Sequence, residues 1–129
     1  MCHVSVLLIE DDTDIRSALR EVLEAEGCTV TEASDGDSGL GMLQSMDPLP
    51  DVLLLDLMLP GALNGWDVLC VKQLDERLRG IPVVVLTAAP PQEARARSLE
   101  GASLILKKPF SIPQILSVVT RMEHVKPED

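Results

Sequence analysis

Short runs of apolar and β-branched residues alternate along the chain with longer stretches in which apolar and polar residues mix at helical spacing. The first longer stretch places Ile15, Ala18, Leu19, Val22 and Leu23 at the i, i+3, i+4, i+7 intervals of an amphipathic helix. Regular alternation of short apolar runs with amphipathic helices is typical of β–α units that build a parallel sheet.

The pattern predicts five strands and five helices. The strands are expected at residues 4–9, 28–32, 51–55, 82–86 and 103–106. The first helix is expected to start after Asp12 or Thr13. The next three are expected at 35–46, 65–78 and 90–99, and the fifth runs from near Ser111 to Met122. Trp66, Leu69 and Leu74 are the residues of the third helix that we expect to face a core.

Strict alternation of this kind predicts an α/β fold with a doubly wound, five-stranded parallel sheet and helices on both faces. Right-handed crossovers leave few topologies, and strand order 2-1-3-4-5 is a common one. Ligands in such sheets bind at the carboxyl ends of the strands, beside the point where the strand order reverses. Residues 1–124 are expected to form this domain, and 125–129 a tail or linker stub.

Composition is that of one globular domain. The chain has 129 residues, of which 46% are hydrophobic and 25% charged. Eleven basic and 21 acidic residues give a net charge of −10. Because tight non-specific binding to nucleic acid depends on cations that neutralise phosphates, no direct nucleic-acid partner is expected.

Membrane and extracellular classes are also disfavoured. No apolar run approaches the roughly 18 residues that a membrane-spanning helix needs, and the start of the chain lacks the pattern of a signal peptide. The cysteines, Cys2, Cys28 and Cys70, are odd in number and widely spaced. They form no zinc pattern or disulfide framework, so a cytoplasmic location is expected.

Polar residues stand where four of the predicted strands end. Glu10 and Asp11 follow the first strand, Asp56 the third, Thr87 the fourth, and a pair of lysines the fifth. Parallel strands bring these positions to one edge, where Glu10, Asp11 and Asp56 would share an acidic pocket. Mg²⁺ suits such a pocket because it prefers oxygen ligands. A hydroxyl and an ammonium beside it suit phosphoryl oxygens, and a carboxylate can be the nucleophile.

Each of these residues also has an ordinary structural explanation. Asp12 and Asp14 favour the start of a helix through its dipole, and an Asp at a strand end is commonly a cap or turn residue. Thr87 could simply favour β structure, and Lys108 could be solvated. Four suitable residue types at four strand ends nevertheless favour a site.

These residues occur in segments that resemble the receiver domain of a two-component response regulator. The segments are 6–12 (VLLIEDD), 51–60 (DVLLLDLMLP), 83–88 (VVVLTA) and 107–110 (KKPF). The resemblance runs from about residue 4 to residue 122 and implies a chemotaxis-regulator-like, flavodoxin-like fold.

By this resemblance Asp56 accepts a phosphoryl group from the phosphohistidine of a histidine kinase. Glu10, Asp11, Asp56 and the backbone carbonyl of Met58 would hold Mg²⁺. Thr87 would hydrogen-bond the phosphoryl group, and Lys108 would form an ion pair with it.

The resemblance also implies partners and an activity class. The partners are a histidine kinase or phosphotransfer protein, and a downstream protein effector or fused output domain. The chain would be a signalling phosphoacceptor and not an enzyme, with self-catalysed phosphorylation and dephosphorylation of the Asp only.

Alternatives remain at this stage. A phosphorylation-independent pseudo-receiver module is compatible with Ile105, which stands where the family usually has an aromatic residue. A phosphatase of the haloacid dehalogenase type would have a second acid at the position of Met58. A flavodoxin-like cofactor site would have Ser/Thr-rich loops after the first strand, where this chain has acids.

Overall fold

The structure is a computed structural model that describes residues 4–88, 104–108 and 111–125. The elements, in chain order, are β1 (Ser5–Ile9), α1 (Thr13–Ala25), β2 (Thr29–Ala33), α2 (Gly36–Ser45), β3 (Val52–Asp56), α3 (Gly65–Leu74), β4 (Val83–Thr87), β5 (Leu104–Lys107) and α4 (Ile112–Val125). The helix predicted at 90–99 lies outside the described residues.

The five strands form one parallel sheet in the order β2-β1-β3-β4-β5, as the alternation of the sequence predicted. Every residue of β3 and β4 is buried. These continuous apolar runs fit the centre of a sheet that helices cover on both faces. β2 lies at one edge of the sheet, and only two of its five residues, Val30 and Ala33, are buried.

Two apolar layers enclose the sheet. One packs α1 and α4 against the sheet through Leu19, Leu23, Ile115 and Val119. The other packs α2 and α3 on the opposite face through residues that include Leu43, Val68 and Leu69. Successive residues of each strand serve opposite layers, because side chains alternate along a strand.

Side-chain caps start the first three helices. The Oδ1 atom of Asp12 accepts the backbone N–H groups of Asp14 and Ile15 at 2.9 and 3.1 Å. Asp35 caps α2, and Asn64 caps α3. Each cap satisfies an N–H group that has no partner inside its helix.

The strand boundaries differ from the predicted ones by about one residue. Asp56 and Thr87, which we expected just after their strands, are instead the last residues of β3 and β4. Both therefore belong to the rigid hydrogen-bonded ladder.

The prediction that Leu74 faces a core is wrong. Leu74 is 81% exposed, and α3 ends there because the Asp75 backbone is extended and its side chain accepts the N–H of Arg77. The buried face of α3 consists of Gly65, Val68, Leu69 and Lys72, the last a lysine. Leu74 lies two residues, about 200°, beyond Lys72 on the helix.

A helix that crosses a bilayer must be both long and apolar. Among residues 4–88, 104–108 and 111–125, no helix combines the length and apolar character that crossing a bilayer requires.

Candidate functional site

The site lies at the carboxyl ends of the central strands. β1 and β3 are neighbours in register, with Ile9 opposite Leu55, so the residues that follow or end them lie side by side. Glu10 is fully buried, Asp56 is 2% exposed and Asp11 is exposed. One carboxylate oxygen from each of the three lies within 4.8 Å of the others. The acidic pocket expected from the sequence is present.

A lysine from the far side of the sheet reaches this pocket. The Nζ atom of Lys108 lies 2.7 Å from Oε1 of Glu10 and 3.2 Å from Oδ2 of Asp56. Its side chain is 20% exposed. Lys108 thus pairs with both buried carboxylates and is not simply a solvated surface lysine.

The other hydrogen bonds fix the two carboxylates. Oδ1 of Asp56 accepts the N–H of Met58 at 3.0 Å, and Oε2 of Glu10 accepts the N–H of Asp12 at 3.2 Å. In each buried carboxylate, therefore, one oxygen contacts the Lys108 ammonium and the other accepts a hydrogen bond from a backbone N–H. The Met58 side chain is 62% exposed, which leaves it uninvolved in these contacts.

Thr87 is the last residue of β4, the strand between β3, which carries Asp56, and β5, which leads to Lys108. It is buried, and its carbonyl accepts the N–H of Lys108 at 2.7 Å. Asp56 pairs in register with Leu86, the residue before Thr87. The threonine, the lysine and the aspartate therefore share one edge of the β3–β4–β5 ladder.

Burial and pairing shift two pKa values in the pocket. Burial raises the pKa of the Glu10 carboxyl to about 7, although its hydrogen bond from Lys108 acts in the opposite direction. Burial alone would lower the pKa of Lys108, but the hydrogen bond to Glu10 and the charge of Asp56 outweigh it and raise that pKa.

The loop after β3 needs a glycine at its far end. A Cβ on Gly65 would lie 2.3 Å from the carbonyl oxygen of Asp56 and 2.5 Å from Cα of Leu57. The N–H of Gly65 donates to the carbonyl of Leu57 at 3.0 Å. Close contact of these two backbones lets α3 start directly behind the phosphoacceptor candidate.

A cavity of about 320 Å³ opens at Asp11 and the loop after β3. Its lining residues are Asp11, Leu57, Met58, Leu59, Pro60, Asn64 and Trp66. Asp11, one of the three clustered carboxylates, therefore faces a space large enough for a small ion and its waters.

The donor set fits a divalent cation. Three carboxylates close together repel one another, and the Lys108 ammonium already offsets part of that charge. Hard oxygen donors beside an open cavity are the ligands that Mg²⁺ prefers.

Sequence reasoning missed one residue of this region. An N–H of the Arg16 guanidinium donates to the carbonyl of Glu10 at 2.9 Å. An arginine in the first turns of an amphipathic helix resembles any solvated charge, so its sequence position carried no signal for this contact.

Comparison with known proteins identifies the family. Residues 6–120 match the family model of the response regulator receiver domain, and the chain belongs to that family. The family generally binds Mg²⁺ at an acidic cluster, and Glu10, Asp11 and Asp56 form such a cluster here.

Among curated relatives, the phosphate regulon transcriptional regulatory protein PhoB of Escherichia coli (strain K12) is 39% identical over 131 residues. The alignment covers 96% of this chain and 55% of PhoB. The chain thus spans about half the length of the curated relatives that it matches.

Solved structures share the fold. A Francisella response regulator receiver domain superposes with a TM-score of 0.86 at 25% identity, covering 97% of this chain and 100% of that one. A second receiver domain, from a sensor histidine kinase of Pseudomonas aeruginosa PAO1, has a TM-score of 0.82 at 25% identity. It covers 94% of this chain and 98% of its own, and holds a magnesium ion in its active-site cleft.

Proposed function

We propose that the chain is a phosphoacceptor that receives a phosphoryl group from a kinase phosphohistidine on Asp56 and thereby changes partner binding. The observation that carries the proposal is the contact of the Lys108 ammonium with two buried carboxylates, Glu10 and Asp56, at 2.7 and 3.2 Å. This arrangement places an acid nucleophile beside a cation that can pair with the group it receives.

The chemistry assigns a role to each residue. A carboxylate oxygen of Asp56 attacks phosphorus, the new O–P bond forms, and the P–N bond breaks with its electron pair passing to the imidazole. The Met58 N–H and Lys108 hold the two oxygens of Asp56 in place beforehand. Afterwards Lys108 pairs with the phosphoryl oxygens, and the Thr87 hydroxyl donates to one of them.

Mg²⁺ belongs to this proposal. Glu10, Asp11, Asp56 and the backbone carbonyl of Met58 would hold it. The receiver domain of the Pseudomonas kinase also holds a magnesium ion in its active-site cleft. When bound, Mg²⁺ neutralises charge on the transferring phosphoryl oxygens and fixes their orientation.

A charge of about −1.5 to −2 added at Asp56 would attract Thr87 and Lys108. Because Lys108 donates its N–H to the Thr87 carbonyl, movement of either residue is transmitted to the ends of both β4 and β5. Moving a population from mostly inactive to mostly active needs a preference of roughly 5 kcal/mol. A charge-assisted pair and a hydroxyl hydrogen bond at a buried site can contribute that order of energy.

The wider biology is proposed on the same basis. Transfer and hydrolysis would be self-catalysed at Asp56, so the chain is a signalling protein and not an enzyme with a separate substrate. Its partners would be a histidine kinase or phosphotransfer protein, and an effector or fused output domain, in the cytoplasm. That these 129 residues bind no nucleic acid stays a prediction, and it does not extend to longer relatives with transcriptional names.

The pseudo-receiver alternative lacks support from the site. Such a module has no need of a buried acid pair neutralised by a lysine. Ile105, which kept that alternative open, is partly buried and packs in the layer of α2 and α3. An aliphatic side chain there fills space in the core.

Titration with Mg²⁺, with and without beryllofluoride, tests the proposal. Trp66 lines the cavity and reports on it by fluorescence, and Asp56→Asn is the control. We expect saturable Mg²⁺ binding, a further response to beryllofluoride, and a phosphorylated species with acetyl phosphate by intact mass, the last two lost in the control. Wild-type protein that binds neither ligand by calorimetry would establish the pseudo-receiver instead.

A further inference from the structure

The Arg16 guanidinium lies behind the acidic pocket, on the side away from Lys108. Its Nη1 atom donates to the Glu10 carbonyl at 2.9 Å, and its Nε atom lies 3.7 Å from Oε1 of Glu32. The side chain is only 17% exposed. Arg16 therefore bridges α1, the end of β1 and the edge strand β2.

This bridge acts on the peptide that joins two carboxylate residues. The carbonyl of Glu10 and the N–H of Asp11 belong to one rigid plane, so holding the carbonyl fixes the direction in which Asp11 leaves the strand. The N–H of Glu10 is held as well, by the Ala33 carbonyl at 3.1 Å. The backbone of Glu10 is thus anchored on both sides.

Arg16 is itself anchored by a carboxylate. Glu32 is 29% exposed and pairs with Arg20 at 3.5 Å as well as with Arg16. Arg20 is 46% exposed and also pairs with Glu24. No hydrogen bond from Arg20 to the Glu10 peptide occurs within the described ranges. Glu32 therefore pairs with two arginines. Of these two, Arg16 alone also donates a hydrogen bond to the Glu10 carbonyl.

We propose that Arg16 is a positioning residue for the cation site: it orients the Glu10–Asp11 peptide so that both carboxylates stay within reach of Asp56. This inference rests on the function proposed above and adds a residue to it. Arg16 touches neither the phosphoryl group nor the ion, and acts only through the backbone of Glu10.

Charge and positioning predict opposite results when Arg16 is neutralised. By Coulomb attraction alone, removing a positive charge near the carboxylates would tighten Mg²⁺ binding. Loss of the anchored peptide would weaken it, because the carboxylates would need to be ordered on binding. The sign of the change in affinity therefore separates the two roles.

The experiment measures the Mg²⁺ dissociation constant by calorimetry for the wild type, Arg16→Met and Arg20→Met. Supporting residues behind metal ligands commonly change affinity by 10-fold or more, so we expect about 10-fold weaker binding in Arg16→Met. Arg20→Met loses the same charge and the same glutamate contact, and we expect a change within about twofold, since exposed charges are screened.

Two further measurements exclude a general structural effect. The thermal midpoint in EDTA reports folding without the ion, and the rate of phosphorylation by acetyl phosphate, measured up to saturating Mg²⁺, reports the chemistry. We expect Arg16→Met to be folded in EDTA and to need about 10-fold more Mg²⁺ than the wild type to reach half of its own maximal phosphorylation rate.

Arg16→Lys serves if the methionine variant does not fold. It keeps the charge and the aliphatic stem but lacks the planar fork that serves the Glu10 carbonyl and Glu32 together. We expect about threefold weaker Mg²⁺ binding, where charge alone predicts no change.

Unchanged or tighter binding in the folded Arg16 variants would overturn the inference and leave the proposed function standing. A wild type that binds no Mg²⁺ would overturn both. A matching loss of affinity in Arg20→Met would assign the effect to the Glu32 contact that both arginines share, and would also refute a specific role for Arg16.

Discussion

Two lysines, Lys108 partly buried and Lys72 fully buried, lie at opposite ends of the sheet, and their pKa values shift in opposite directions. Lys108, at the carboxyl ends of the strands, contacts Glu10 and Asp56. Lys72, where α3 leads into the turn before β4, is fully buried, and its Nζ donates to the Arg79 carbonyl at 3.0 Å and to Oε1 of Gln73 at 3.2 Å. No ion pair of Lys72 occurs among the described residues.

The pKa values of the two lysines depend on the groups that they contact. Burial lowers the pKa of Lys72 to about 8. Partial burial acts in the same direction on Lys108, yet its acidic partners raise its pKa. Burial disfavours the charged form at both ends, and only neighbouring carboxylates reverse the effect. An ammonium held against acids suits phosphoryl chemistry, whereas the Lys72 ammonium closes a turn.

Replacement of Lys108 by Met is expected to have a large effect on the free energy of unfolding. The change leaves two buried carboxylates side by side without a cation, and the free energy of unfolding in EDTA at pH 7 should fall by about 3 kcal/mol. Excess Mg²⁺ should restore more stability to this variant than it adds to the wild type, because the ion takes over the neutralising role.

Urea unfolding followed by circular dichroism, with and without Mg²⁺, measures both effects. Arg20→Met, which removes a half-exposed cation, is the control and should lose less than about 1 kcal/mol. Equal stabilities of Lys108→Met and the wild type in EDTA would contradict the contrast between the two lysines.

Replacement of Lys72 by Met is expected to change the pH dependence of stability. Its folded pKa of about 8 lies below the unfolded value of 10.5, so the unfolded chain binds more protons between these values. Wild-type stability should therefore rise from pH 8 to 10.5 relative to the variant. The rise should be roughly 3 kcal/mol at 1.36 kcal/mol per pKa unit.

The measurement is urea unfolding of both proteins at several pH values across that window. The difference between them isolates Lys72, because all other titrating groups are shared. At neutral pH the variant loses the hydrogen bond to the Arg79 carbonyl but also a poorly solvated charge, so its stability should be close to that of the wild type. A difference that stays constant with pH would show that Lys72 remains well solvated.

The smallest expected effect is at Leu74, two residues from Lys72. Leu74→Ala should change the free energy of unfolding by less than about 0.5 kcal/mol, since the side chain is exposed. Leu69→Ala, on the buried face of the same helix, should cost about 2–5 kcal/mol. A large loss at Leu74 in urea unfolding would show that this end of α3 is covered in solution.

The same helix shows what could be predicted from sequence. Positions 65, 68, 69 and 72 follow the helical period and are all buried. Because position 72 is a lysine, the polarity of the sequence did not predict it as a core residue, and Leu74 was predicted to face the core instead. The fit of one long side chain under a turn depends on tertiary packing that no local pattern contains.

The sheet and the acids were more accessible to prediction. Continuous apolar runs such as residues 83–86 are typical of parallel strands that are covered on both faces. Because the carboxyl ends of parallel strands lie at one edge of the sheet, the sequence also predicted that Glu10 and Asp56 lie close together. The contact of Arg16 with the Glu10 carbonyl was not predictable, because it depends on how α1 lies against β2. Single contacts of this kind are set by the angle between elements.

The distance along the chain between site residues has a consequence for biogenesis. Asp56 and Lys108 are 52 residues apart, and Glu10 comes before the first helix while Lys108 follows the last strand. Lys108 is therefore synthesised after both acids. A nascent chain still on the ribosome can present the acids without their lysine, so competence for signalling would arise only once synthesis has passed β5.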